Sequence, residues 1–178
     1  MHQPVHHRRL QCLYLNARSL KTVTPTTNKL VELQNLVVMQ DAHIVAVTET
    51  WLNRTVLDGE ILPSHFITHR KDREETLANT RGGGLLLAID SSLPSKRRSD
   101  LETSSEILIC ELTPNSLAKI AVVLCYRPPN NDRIAFFNNL EQTLFHVSRD
   151  YSLICMLGDF NLPAINWNEP PSSPNPSD

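Results

Sequence analysis

The sequence predicts a mixed α/β fold in which helices pack outside strand layers that include antiparallel pairs. Three observations carry that expectation. Apolar runs of strand length alternate with two segments of helical period. The middle of the chain holds several such runs in succession with no helix between them, which argues against a strictly alternating, doubly wound sheet. The 178 residues are 40% hydrophobic and 20% charged, a composition that suits one globular domain with a real core.

Each element has its own signal. Leu10–Asn16 (LQCLYLN) reads as a strand. Asn28–Met39 has helical period: Leu30, Leu33, Leu36 and Val37 share a face, and Thr26 or Thr27 is placed to cap it. His43–Thr48 is rich in β-branched residues and reads as a buried strand. His65–Thr68 is a short strand, and Gly84–Ile89, Glu106–Leu112 and Ile120–Tyr126 are further ones. Asp132–Val147 is the second helix, with Ile134, Phe137, Leu140, Leu144 and Val147 spaced to share a face. Ser152–Leu157 is the last strand. From Glu169 the chain reads EPPSSPNPSD, which forms neither helix nor strand. The expected organisation is a polar extension over 1–9, one domain over 10–168, and a Pro/Ser-rich tail over 169–178.

Charge and cysteine usage exclude some classes. Lys and Arg total 17 against 19 Asp and Glu, a net charge of −2, so a strongly basic nucleic-acid coat is absent. Binding to a polyanion would need a local basic patch or a metal ion. No apolar stretch approaches the ~20 residues that span a bilayer. The N-terminus, MHQPVHHRRLQ, is polar and basic and is no secretory signal. An intracellular protein, not secreted and without membrane contact, is expected. The Asn53-Arg54-Thr55 sequon is then a chance match. Cys12, Cys110, Cys125 and Cys155 each sit in an apolar run and none forms a CxxC pair, so they read as four reduced core thiols.

The chemistry lies in what ends the strands. LQCLYL ends in Asn16, IVAVT in Glu49, AVVLC in Tyr126, and LICMLG in Asp159, with Asn161 two residues on. Ligand crevices in α/β proteins lie outside the carboxyl ends of strands. Glu49 and Asp159 could serve a hard divalent cation, since Mg²⁺ uses one or two carboxylates and keeps several waters. A carboxylate off the metal could position or deprotonate a water. Asn16, Asn161 and Tyr126 could hydrogen-bond phosphate oxygens. The plainer alternative is that GDFN followed by LP makes a turn, and that Glu49 caps the next segment.

Five blocks, LNARSL (Leu15–Leu20), TETWL (Thr48–Leu52), RGGGLLLAI (Arg81–Ile89), YRPP (Tyr126–Pro129) and GDFNLPAINW (Gly158–Trp167), occur in this order. Together they resemble the endonuclease domain of non-LTR retrotransposons, a branch of the endonuclease/exonuclease/phosphatase superfamily related to apurinic/apyrimidinic endonucleases. The resemblance runs from about Leu10 to Trp167. It implies a DNase I-like, four-layer αββα fold: a two-sheet β-sandwich flanked by helices. It also implies a Mg²⁺ (or Mn²⁺) dependent phosphodiesterase acting on DNA, in a branch that nicks DNA where reverse transcription is primed. By that resemblance Glu49 matches the metal-binding glutamate and Asn16 the asparagine beside the metal. Tyr126 matches the phosphate-contacting tyrosine, Asp159 the aspartate that activates or orients water, and Asn161 the asparagine that holds the scissile phosphate.

The family completes its site with a later segment ending in an Asp-His pair. No such segment follows Asp159 here, and all seven histidines precede it. The expectation is an incomplete domain, lacking strands of its second sheet, inactive or weak as an isolated chain, with DNA binding weakened or lost. A non-enzymatic remnant that binds DNA or protein is the alternative reading. A phosphatase or phosphodiesterase of the same fold acting on a small phosphorylated substrate is a further one.

Arg81-Gly82-Gly83-Gly84 lacks the GK[ST] of a phosphate loop, so no nucleotide cofactor is expected and the glycines read as a tight approach to a strand. The clusters Lys96-Arg97-Arg98 and His69-Arg70-Lys71-Asp72-Arg73 read as solvated loop charge, with phosphate-backbone contact as the alternative. Trp51 reads as a core or rim aromatic. DNA chemistry would imply the nucleus, but KRR at 96–98 is too short for an import signal.

Overall fold

Alternation along each strand decides which of three cores its side chains enter. The computed structural model describes residues 9–73, 82–115, 118–129, 132–163 and 168. Its strands are β1 (Cys12–Asn16), β2 (Ile44–Thr48), β3 (Phe66–Lys71), β4 (Leu85–Asp90), β5 (Ser95–Arg97), β6 (Ile107–Asn115), β7 (Ala118–Tyr126) and β8 (Leu153–Asp159). Helix α1 (Lys29–Met39) joins β1 to β2, a short α2 (Asp58–Ile61) precedes β3, and α3 (Arg133–Asp150) joins β7 to β8. They form two four-stranded sheets, ordered β1-β2-β4-β3 and β5-β6-β7-β8. In each sheet one parallel pair, β1–β2 or β7–β8, is linked by a long helix, and the other pairings are antiparallel.

On β2, Val45 and Val47 face the α1 side, while Ile44 and Ala46 face the other sheet. On β4, Leu86 and Ala88 join the α1 core, and Leu85, Leu87 and Ile89 fill the space between the sheets. Leu108, Cys110 and Leu112 of β6 meet them there, with Val122 and Leu124 of β7. The opposite faces of β6 and β7, through Ile107, Ile109, Ala121 and Val123, pack on Phe136, Leu140 and Val147 of α3. Central strands buried on both faces need continuous apolar runs rather than alternation. IVAVT and LLLAI supply them. The result is the expected sandwich of two sheets with a helix layer on each outer side.

The element boundaries and faces differ in informative ways. Helix α1 is capped by Asn28, whose Oδ1 accepts from the backbone N–H groups of Leu30 (3.2 Å) and Val31 (3.3 Å), rather than by Thr26 or Thr27. Leu33 and Val37 are buried, but Leu36 is 41% exposed. On α3 the buried set is Phe136, Leu140, Thr143 and Val147, and Ile134 is 73% exposed. The face is rotated from the expected one, with Phe137 and Leu144 on its flank. Strand β5 and helix α2 carry no hydrophobic pattern and were not expected. Strands β3, β6, β7 and β8 each extend beyond the expected ends.

The reading of four core thiols holds for Cys110 and Cys125 only: Cys12 is exposed and Cys155 half-buried. Among the described residues their strands, β1 and β8, lie at the sheet edges, which opens both positions to solvent. The extension over 1–8, Arg81, Ala164–Trp167 and the tail over 169–178 lie outside the described residues.

Candidate active site

Each parallel pair delivers its carboxyl ends to the same edge of the sandwich. The register sets Asn16 beside Thr48, one residue before Glu49, and sets Tyr126 beside Asp159. The β1–β2 ladder then continues past the strands, with Ala17, Ser19 and Leu20 donating backbone N–H to the carbonyls of Thr48 (2.9 Å), Glu49 (2.8 Å) and Thr50 (2.9 Å). On the other side, Thr50 and Trp51 donate to the carbonyls of Gly84 (3.2 Å) and Gly83 (3.0 Å). The segment 49–51 is therefore held from both sides. Glu49 (φ 52°) and Trp51 (φ 53°) lie in the left-handed region, costly for non-glycine residues unless the surroundings fix it.

The Asn16 side chain unites the two sheets. Its Nδ2 donates to Oε1 of Glu49 (2.8 Å) and to Oδ2 of Asp159 (2.8 Å). Arg18 N–H donates to Asn16 Oδ1 (3.2 Å), which fixes the orientation of the amide. Tyr126 is buried, with its phenol close to the charge of Glu49. Burial raises the Tyr126 pKa first, and the neighbouring Glu49 raises it further, so the phenol stays protonated at neutral pH. Tyr14 stands close by: its hydroxyl lies 3.3 Å from Thr48 Oγ1, and its pKa is raised by burial, with Asp159 and Glu49 adding to the rise. Asn161 follows by a tight turn, its N–H donating to Asp159 Oδ1 (3.0 Å) and its Nδ2 to the Arg127 carbonyl (2.7 Å).

All five residues expected from the strand ends thus meet at one place. Glu49 and Asp159 are half-buried carboxylates, and among the described residues neither has an ion-pair partner. The other half-buried carboxylates of the β5–β6 region, Glu102, Glu106 and Glu111, all have one. Among the described residues no group of three or more His, Cys, Asp or Glu could hold a metal ion.

Some supporting residues escaped the sequence reading. Arg73 donates through Nε to Glu106 Oε1 (2.8 Å), and this pair lies directly against Gly83. A Cβ on Gly83 would sit 2.3–2.4 Å from the Arg73 guanidinium and the Glu106 carboxylate, so only glycine passes there, at φ 71°. Glu106 has a raised pKa, chiefly from burial and against the pull of Arg73. Nothing local in the sequence signals this support, because Arg73, Gly83 and Glu106 are far apart in the chain. Trp51 is 36% exposed, at the rim of the site rather than in a core.

The basic clusters are paired internally. Arg70 bonds Asp58 (3.0 Å) and Asp72 (2.5 Å), and Arg97 bonds Glu102 (2.8 Å). Arg98 bonds Asp100 (2.8 Å), Asp150 (3.3 Å) and Glu111 (3.4 Å). Lys71 bonds the carbonyls of Thr103 (2.7 Å) and Ile107 (3.1 Å). Only Lys96 of the 96–98 cluster projects as an exposed cation. The solvated-loop reading is corrected: these side chains join strands to one another and to α3.

No family model matches the chain, and no curated protein matches it by sequence. Solved structures do match its fold. The endonuclease domain of TRAS1, a telomere-specific non-LTR retrotransposon, aligns with a TM-score of 0.61 at 14% identity, over 86% of this chain and 59% of that one. The AP endonuclease LMAP from Leishmania major aligns with a TM-score of 0.63 at 14% identity, over 84% and 54%. The human Nocturnin catalytic domain aligns with a TM-score of 0.63 at 14% identity, over 88% and 65%. The chain spans between 54% and 65% of the length of these three. It has the DNase I-like fold of the endonuclease/exonuclease/phosphatase proteins.

Proposed function

We propose that the chain is a metal-dependent phosphodiesterase domain that hydrolyses the DNA backbone, an endonuclease of the non-LTR retrotransposon kind. One observation carries this reading: Asn16 holds together two carboxylates, Glu49 and Asp159, that have no cation partner among the described residues. The donor set is all oxygen and sparse, which fits Mg²⁺ or Mn²⁺ with much of its water retained. Glu49 would hold the ion, with Asn16 beside it. When bound, such an ion polarises a phosphate oxygen and stabilises the charge that develops there.

The chain's own groups do the rest. Asp159 accepts a hydrogen bond from a water on the substrate side and orients it for attack. Tyr126, kept protonated by burial and by the nearby Glu49, is a hydrogen-bond donor. Asn161 spends one amide N–H on Arg127 and keeps the other for a phosphate oxygen. Among the described residues no histidine stands at the site: His43 and His65 open their strands at the opposite end, His69 lies within β3, and His146 on α3. With no imidazole among the described residues of the site to stabilise the reacting phosphate, slow turnover is expected of these groups alone. A solved TDP2 of this fold complexed with single-strand DNA product supports a polynucleotide as substrate.

Nicking of supercoiled plasmid by the purified chain tests the proposal. Slow nicking that requires Mg²⁺, stops with chelator and disappears in Glu49→Gln and Asp159→Asn is the expected result. Nicking indifferent to both substitutions would refute it. A folded chain that does not nick at all would favour a binding module instead. That reading has its own observation, an apolar groove of about 790 Å³ between α3 and β8 lined by Phe137, Leu140, Leu144, Phe145, Ile154 and Met156.

A further inference from the structure

We infer that Arg127 is the positioning residue of this site, the group that fixes the Asp159–Phe160–Asn161 corner. The chemistry it serves rests on the proposed function; the placement rests on geometry alone. Arg127 follows Tyr126 directly in YRPP, yet its side chain points away from solvent and is 6% exposed for the residue as a whole. A buried guanidinium is costly unless its donors are satisfied. Here three of its side-chain nitrogens donate to main-chain carbonyls. Nε donates to the Phe160 carbonyl (2.7 Å), Nη2 to the Asn161 carbonyl (2.5 Å) and Nη1 to the Pro128 carbonyl (3.4 Å).

The grip is returned. Arg127 N–H donates to the Asp159 carbonyl (2.9 Å), and the Arg127 carbonyl accepts from Asn161 Nδ2 (2.7 Å). Asn161 sits at φ 48°, and its own N–H holds the Asp159 carboxylate. One residue therefore binds the backbone at 159, 160 and 161 and orients the Asn161 amide. Two consecutive carbonyls match the fork of a guanidinium and not the single head of an ammonium. Arg127→Lys keeps the charge and the stem but cannot span both.

The test is nuclear magnetic resonance of the ¹⁵N-labelled full chain, without metal or DNA, comparing wild type with Arg127→Lys and Arg127→Gln. The Asn161 side-chain amide is assigned by its loss in Asn161→Ser. In wild type it should be shifted and protected. In Arg127→Lys it should move to the position of a free asparagine amide and exchange at least ~10-fold faster, while Ile107 and Leu124 methyl signals stay in place. An unmoved Asn161 amide in either variant would overturn the inference. So would unfolding of both variants, which would make Arg127 a folding residue instead. Where wild type nicks plasmid, Arg127→Lys should lower kcat about 100-fold with KM nearly unchanged, the signature of misplacement rather than lost binding. A wild type that does not nick removes the endonuclease reading and leaves the amide measurement to decide the placement.

Discussion

At Asn16 a single amide nitrogen reaches carboxylates from both sheets, and that contact could be anticipated only in part. Asn16, Glu49, Tyr126 and Asp159 were legible because each ends or follows an apolar run, and a strand end fixes where its next polar residue points. Arg127 was not legible, since its partners at 160 and 161 come from another strand's turn. Replacing Asn16 by Ala removes both donated bonds and leaves two carboxylates facing one another. Nicking should fall about 100-fold while the fold is retained, as circular dichroism alongside the plasmid assay would check. Gly158 is a sterner case. A Cβ there would lie 2.1 Å from the Cys125 carbonyl oxygen and 2.9 Å from its carbon, in the backbone of the neighbouring strand. Gly158→Ala should cost about 3 kcal/mol or more in a denaturant titration.

At the scale of elements, α3 separates what periodicity reveals from what packing decides. Its existence followed from its apolar spacing, but two faces competed, and the sheet chose Phe136, Leu140, Thr143 and Val147. Phe136→Ala should destabilise the chain by about 3–5 kcal/mol, whereas Ile134→Ala should stay within about 0.5 kcal/mol. Equal effects in thermal or urea unfolding would return the helix to its expected face. The end of α3 is tied to β6 by Glu111, which accepts a short hydrogen bond from Tyr151 (2.5 Å) and pairs with Lys119 (3.2 Å) and Arg98 (3.4 Å). The Tyr151 bond, then Lys119 and Arg98, hold the Glu111 pKa below its ordinary 4.5. A depressed carboxyl pKa adds stability above the unfolded value and loses it as the pH falls through the folded one. Wild type should therefore exceed Glu111→Gln by about 1 kcal/mol at neutral pH, and the gap should close below its ordinary pKa. A gap independent of pH would assign the loss to packing.

Across the whole molecule, the class of fold was legible and its edges were not. Apolar runs predicted many strands and two helices outside them, and the sandwich follows from burying both faces of β2, β4, β6 and β7. The short β5 and the ion-paired clusters were hidden, because charge pairing depends on neighbours that only the tertiary fold supplies. The exposed flanks of β1 and β8 have a chemical consequence. Native-state alkylation should modify Cys12 first and Cys155 next. Cys110 and Cys125, buried and with thiols pushed up to about 12, should react only on unfolding. Uniform labelling would contradict the burial of Cys110 and Cys125.

The endonuclease proposal rests on the strand ends of two sheets bringing Asn16, Glu49 and Asp159 together, with Glu49 placed to hold a divalent cation. Titration of the folded chain with Mn²⁺, followed by electron paramagnetic resonance, tests it most directly. One saturable site, competed by Mg²⁺, weakened at least ~10-fold by Glu49→Gln and untouched by Glu60→Gln, is the result expected. Binding that survives Glu49→Gln, or no binding to a folded wild-type chain, would contradict it.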